Sequence, residues 1–141
     1  MKEIVIVDGG RTPIGNLGGA LKDVTPQEMA ATVIRELVKR NNLKVSEVDE
    51  VILGCVGQFS DAPNVARVAA LLAGIPKEAT AYTVQRNCSS GMQAVVKSFE
   101  ILLEHDVDEQ YIFEPGEALA GDVVLVTSGT SRINAIQVAY Y

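Results

Sequence analysis

Apolar positions along the chain alternate between short continuous runs and helically spaced series, with glycine, proline and asparagine between them. Residues 4–7 are a nearly continuous apolar run, the pattern of a strand buried on both faces. A glycine-rich loop follows over 9–19. Thr25-Pro26-Gln27-Glu28 then reads as a helix start: Thr25 caps, Pro26 suits the first turn and Glu28 completes a capping box. Met29, Ala30, Val33, Ile34, Leu37 and Val38 fall on one face of that helix, and Asn41-Asn42 ends it. Residues 48–56 form the second strand. Asp61-Ala62-Pro63 signals a second helix, with Val65, Val68, Ala69 and Leu72 inward and Gly74 and Pro76 as its stop. Residues 81–84 give a third strand. A third helix starts at Cys88 and buries Met92, Val95, Val96, Phe99, Leu102 and Leu103; a fourth strand covers 122–127.

The order βαβαβαβ predicts an α/β fold, a mostly parallel sheet with helices on both faces. Residues 104–117 break the pattern. They hold six acidic residues, the one histidine and no Lys or Arg, and read as a solvated loop with Tyr111, Ile112 and Phe113 against the surface.

The formal net charge of −6 argues against the basic face that nucleic-acid binding requires. No apolar run reaches the length that spans a bilayer. Lys2, Glu3, a short apolar run and Asp8 read as a strand rather than a secretory signal, so the expected compartment is the cytoplasm. Two cysteines make no disulfide framework.

Chemistry concentrates at Cys88, in Val84-Gln85-Arg86-Asn87-Cys88-Ser89-Ser90-Gly91-Met92. A thiol at a strand-to-helix turn meets backbone N–H groups and a helix dipole that favour its nucleophilic thiolate form. Such a cysteine can hold an acyl group as a thioester; the alternative is a small buried apolar residue. Ser89 and Ser90 are weaker nucleophile candidates, because a serine also needs an adjacent base. Cys55, in an apolar strand, reads as an inert core thiol. Gly10 and Gly15 have the spacing that opens a phosphate loop, but Asn16 and Leu17 stand where its Lys and Ser/Thr belong. His105, Asp106, Asp108 and Glu109 lack the glycine and terminal Glu of a calcium loop and the paired His or Cys of a zinc site, so no metal is expected. Acyl transfer also needs a base, and His105 stands roughly 25 Å from Cys88 along a straight helix.

Arg11-Thr12-Pro13-Ile14-Gly15, Val48-Asp49-Glu50-Val51-Ile52-Leu53-Gly54, Asn64-Val65-Ala66-Arg67, Ala73-Gly74-Ile75-Pro76 and Asn87-Cys88-Ser89-Ser90-Gly91-Met92-Gln93-Ala94 occur in this order. Together they resemble the N-terminal part of the thiolase family, the acetyl-CoA C-acyltransferases. The likeness is nearly gap-free over residues 2–103, with 104–120 as an acidic insertion and 121–141 as a divergent fourth strand entering a loop region. It implies an enzyme that condenses two acetyl-CoA molecules to acetoacetyl-CoA, or cleaves a 3-oxoacyl-CoA by thiolysis. Cys88 would carry the acyl-thioester and its N–H would help form an oxyanion hole. It further implies an acyl-CoA substrate, no metal or organic cofactor (CoA being part of the substrate), and a homodimer or homotetramer.

Thiolases are well over twice as long, and their activating histidine, second cysteine and most CoA contacts lie in later parts. The fold is therefore expected to be incomplete and the isolated chain to lack turnover. The alternatives are a non-catalytic half that needs a second polypeptide carrying the base and CoA site, or a truncated fragment.

Overall fold

The computed structural model describes residues 4–57, 59–104, 123–130 and 133–140, with side chains placed up to Leu102. In chain order the elements are β1 (Val5–Arg11), α1 (Pro26–Arg40), a short 3-10 turn (Val45–Glu47), β2 (Glu50–Cys55), α2 (Val65–Ala73), β3 (Thr80–Val84), α3 (Ser90–Glu104), β4 (Val123–Thr130) and β5 (Ile133–Tyr140). They build one five-stranded sheet in the order β1-β5-β4-β2-β3. β2 pairs in parallel with both β3 and β4, while β5 runs antiparallel to β4 and β1. The first four strands therefore point the same way, and the mostly parallel α/β architecture is as expected.

Helices cover both faces. Val51, Leu53 and Cys55 of β2 join the buried faces of α1 and α2 in the larger core. The intervening Ile52 points to the other side and packs with Ala94 and Leu102 of α3. With successive side chains on opposite faces, β2 is the strand buried on both sides.

Local signals place the helix ends. The Thr25 Oγ1 accepts from the Glu28 N–H at 3.3 Å, and the Glu28 carboxylate accepts from the Thr25 N–H at 2.8 Å, so the capping box closes. The Thr25 N–H and then the Thr25 hydroxyl, which donates to the same carboxylate at 2.7 Å, hold the Glu28 carboxyl below the usual range. At the other end Asn41 caps α1 and Asn42 takes φ +53°. Gly74, at φ +87°, ends α2 in the left-handed conformation that glycine adopts without a Cβ penalty.

Several expectations change. The cap of α2 is Asn64, whose side chain accepts from the Arg67 N–H at 3.1 Å, rather than anything in Asp61-Ala62-Pro63. The inward face of α2 is Val65, Ala66, Ala69, Ala70 and Ala73, with Leu72 turned out, because alanines let α2 lie close against α1. In α3 the buried row is Ser90, Ala94, Ser98 and Leu102; Met92 and Val96, expected inside, are 68% and 41% exposed. β1 is not buried on both faces: Val5, Ile6 and Val7 are 40%, 51% and 42% exposed. It is an edge strand paired only with β5, with an irregularity between Ile6 and Asp8. Its far end is the covered part, where Gly10 lies against Val33 and Leu37 of α1. Residues 133–140, expected to enter a loop region, form β5 between β1 and β4. Most of the acidic 104–117 segment, with His105, Tyr111, Ile112 and Phe113, lies outside the described residues.

Candidate functional site

Residues 85–89 carry the chain from β3 to α3, and Cys88 sits within this turn, two residues before α3 rather than at its first residue. A serine hydroxyl organises the turn. Ser90 Oγ accepts from the Arg86 N–H at 2.8 Å and donates to the Asn87 carbonyl at 2.6 Å. One hydroxyl has the donor and acceptors for both bonds. Two backbone bonds tighten the same loop: the Ser89 N–H donates to Arg86 O at 3.0 Å and the Ser90 N–H to Asn87 O at 3.1 Å. Asn87 takes φ +47°, a region that asparagine tolerates better than most side chains.

Side chains tie this turn to its surroundings. Gln85 Nε2 donates to Val56 O, beyond β2, at 3.2 Å. Arg86 Nη1 donates to Gln93 Oε1, one helical turn into α3, at 2.7 Å. Beneath it, β2 comes unusually close: a Cβ on Gly54 would lie 2.3 Å from Ser90 O and 2.5 Å from Gly91 N. A glycine inside a strand often marks such a backbone approach.

The two cysteines part company here. Cys88 is a free, exposed thiol, so it is not the small core residue of the alternative reading. Cys55 is 4% exposed and its Sγ–H donates to Gly57 O at 3.2 Å. Burial pushes the Cys55 thiol above its usual range, the opposite of activation. His105 and the other members of the weighed metal cluster lie outside the described residues. Among the described residues no group of three His, Cys, Asp or Glu side chains could hold a metal ion. The glycine loop is closed by its own bonds, with the Gly19 N–H donating to Asn16 O at 2.9 Å and the Lys22 N–H to Gly19 O at 3.0 Å.

The Asn64-Val65-Ala66-Arg67 motif explains how β3 is aimed at the turn. Asn64 Nδ2 donates to Ala81 O at 2.9 Å, and its Oδ1 accepts from the Thr83 hydroxyl at 3.0 Å. Thr83 Oγ1 in turn accepts from the Ala66 N–H at 3.1 Å. Arg67 reaches Ala79 O and Lys77 O at 2.8 and 2.7 Å. The start of α2 thus holds the strand that delivers Cys88. Sequence reasoning weighed Ser90 only as a weaker nucleophile, whereas its hydroxyl is bonded to backbone beneath the turn, and it gave Gly54 no role; the mid-strand glycine was the available signal.

Taken together, fold and site define an α/β domain that presents an exposed cysteine at a strand-to-helix turn. Comparison with known proteins specifies it further. The model of the thiolase N-terminal domain matches residues 4–109, and the chain belongs to the thiolase family. An acetyl-CoA acetyltransferase of Syntrophomonas wolfei is 44% identical over 107 residues, 76% of this chain and 27% of that protein. A probable acetyl-CoA acyltransferase of Staphylococcus aureus is 38% identical over 108 residues, 77% of this chain and 28% of its own length. The crystal structure of the Bacillus anthracis acetyl-CoA acetyltransferase superposes with a TM-score of 0.72 at 42% identity, covering 89% of this chain and 28% of that one. The chain thus spans just over a quarter of the length of the relatives it matches.

Proposed function

We propose that Cys88 is the acyl-accepting nucleophile of a thiolase-type acyltransferase. The carrying observation is an exposed thiol held in a hydrogen-bonded turn at the entry to α3, within the motif that resembles the family's nucleophile segment. The Cys88 sulfur attacks the carbonyl carbon of an acyl-CoA, the bond from that carbon to the CoA sulfur breaks, and the departing thiolate takes up the proton. The Cys88 N–H helps hold the oxyanion as it forms. In condensation the α-carbon of a second acetyl-CoA gives up a proton to the base and bonds to the acyl carbon, while the bond from that carbon to the Cys88 sulfur breaks and acetoacetyl-CoA leaves. In thiolysis the Cys88 sulfur instead attacks the 3-oxo carbon of a 3-oxoacyl-CoA, the C2–C3 bond breaks, acetyl-CoA leaves after taking up a proton at C2, and the acyl group passes from Cys88 to the thiol of CoA.

CoA enters this reading as substrate, and no metal or organic cofactor takes part. The working assembly is a homodimer or homotetramer in the cytoplasm; no described helix is long and apolar enough to cross a membrane. The base that serves Cys88 and most of the CoA site come from outside the described residues. The open flank of α3, with Met92 and Val96 exposed, supports a complementary surface there.

Two measurements test the reading. Iodoacetamide should alkylate Cys88 faster than Cys55 in the folded chain near neutral pH, and acetyl-CoA should deposit a hydroxylamine-sensitive acetyl group on Cys88 and not on a Cys88→Ser variant. Equal, slow labelling of both cysteines with no acetylation would sink it. The chain alone should show little thiolysis of acetoacetyl-CoA; robust turnover dependent on Cys88 would show that the base is already present.

A further inference from the structure

We infer that Ser90 is a positioning residue for Cys88, an inference that rests on the reading of Cys88 as nucleophile. Ser90 is fully buried, and its hydroxyl bonds the backbone at Arg86 and Asn87, both upstream of the cysteine. Ser90 itself lies just downstream, as the first residue of α3. One side chain therefore joins the two flanks of Cys88 and closes a five-residue loop around it. It also holds the carbonyl of Asn87, the residue in the left-handed conformation at φ +47°. The close approach of β2, which requires glycine at position 54, fixes Ser90 against the sheet. The direction of the Cys88 thiol is therefore set from beneath, by a buried hydroxyl whose two hydrogen bonds both go to backbone. A hydroxyl is required because one oxygen must donate to Asn87 and accept from Arg86 at once; alanine can do neither, and threonine keeps the hydroxyl.

The test compares wild type, Ser90→Ala and Ser90→Thr in the full 141-residue chain. Three rates are read: acetylation of Cys88 by acetyl-CoA or by S-acetyl-N-acetylcysteamine, alkylation of Cys88 by iodoacetamide, and hydrogen exchange of the Arg86 amide. Acetylation requires an aimed thiol, whereas alkylation by a small reagent requires mainly exposure. Ser90→Ala should slow acetylation by about tenfold to a hundredfold, the effect of a misplacement near 1 Å. Alkylation should stay within about twofold, and Arg86 exchange should quicken by about tenfold as its acceptor is lost. Ser90→Thr should restore all three. Equal acetylation of wild type and Ser90→Ala overturns the inference and leaves the nucleophile reading standing. Absence of acetylation in wild type removes that reading and the positioning role with it, while unchanged Arg86 exchange in Ser90→Ala overturns the clamp whether or not Cys88 is acylated. If Ser90→Ala does not fold, Ser90→Thr and Ser90→Cys carry the comparison, and acetylation by Ser90→Cys at the wild-type rate overturns the inference, because a thiol is a weak donor and acceptor.

Discussion

Replacing Gly54 with alanine should destabilise the fold and disarm Cys88 together. The new Cβ would meet Ser90 O at 2.3 Å, Ser90 C at 2.4 Å and Gly91 N at 2.5 Å. All three are backbone atoms, so no rotamer change relieves the clash, and the first turn of α3 must retreat by about 1 Å to reach ordinary contact. Overpacking of this kind costs about 1–3 kcal/mol, and a contact with immovable backbone belongs at the upper end. Alanine returns about 0.5–1 kcal/mol by restricting the unfolded chain. The net loss is about 2 kcal/mol, or roughly 6–10 °C in Tm for a domain of this size. Gly10→Ala is the matched control: its Cβ would meet only side-chain carbons, Val33 Cγ1 at 3.2 Å and Leu37 Cδ2 at 3.8 Å. Those side chains can give way, so its cost should stay below about 1 kcal/mol. Urea and thermal unfolding of wild type, Gly54→Ala and Gly10→Ala would be followed by circular dichroism, with Cys88 acetylation read on the same samples. Equal stability of the two variants, or Gly54→Ala acetylating Cys88 at the wild-type rate, would refute the claim that a close approach of β2 sets the turn.

Asn64→Ala removes a helix cap, a donor to Ala81 O and the acceptor for the Thr83 hydroxyl at one stroke. It should cost about 2–3 kcal/mol in urea unfolding, and a loss below about 0.5 kcal/mol would show that α2 and β3 dock by apolar packing alone. Asp8 accepts from the Arg40 guanidinium through two nitrogens, from the Gly9 N–H and from Asn41 Nδ2. The Arg40 bonds, then those from Gly9 and Asn41, hold its carboxyl below the usual range. A pKa lowered by folding stabilises above the unfolded value and is lost as pH falls through the folded one. Asp8→Asn should therefore be less stable than wild type near pH 7, with the gap closing as pH falls below the ordinary Asp range of about 4; a pH-independent gap in urea midpoint would exclude the ion pair as the cause. Cys55, buried and with its thiol pushed up, should resist alkylation until urea unfolds the chain.

Where a single side chain decides local structure, the sequence was readable. Thr25 with Glu28, Asn41-Asn42 and Gly74 mark helix ends through hydrogen bonds and backbone conformations that those residues alone favour, and the structure has them there. A continuous apolar run does not by itself decide burial: residues 4–7 read as buried on both faces yet lie in an edge strand, whereas the run in β2 sits mid-sheet with both faces covered. Hydrophobic periodicity fails where size matters more than polarity. In α3 it selects Met92, Val95, Val96, Phe99, Leu102 and Leu103; Leu102 is buried and Val95 packs beside it, but Met92 and Val96 are exposed and the rest of the buried row is Ser90, Ala94 and Ser98, spaced four apart. Only small residues fit where Gly54 lets backbone touch backbone, and Ser98 satisfies its hydroxyl within the helix by donating to Val95 O at 2.7 Å. α2 repeats the lesson, with Ala66, Ala69, Ala70 and Ala73 inward and Leu71 and Leu72 each 49% exposed. β5 was missed for another reason. Ile136, Val138 and Tyr140 alternate with Ala135, Gln137 and Ala139 in the half-buried strand pattern, but over too short a run for alternation alone to separate a strand from a loop.

The same size argument explains how Cys88 could be found from sequence while the residues that hold it could not. A nucleophile announces itself by its chemistry, and one thiol at a strand-to-helix junction is conspicuous. Its supports are a glycine and a serine whose contribution is closeness, and closeness leaves no trace in hydropathy. A bulky residue at position 54 or 90 would leave the apolar pattern intact while pushing the turn off the sheet. The readable feature in such a fold is therefore the pairing of a mid-strand glycine with a small polar residue at the start of the helix that crosses it. Here that pairing is Gly54 with Ser90, and the exposed thiol of Cys88 stands two residues before it.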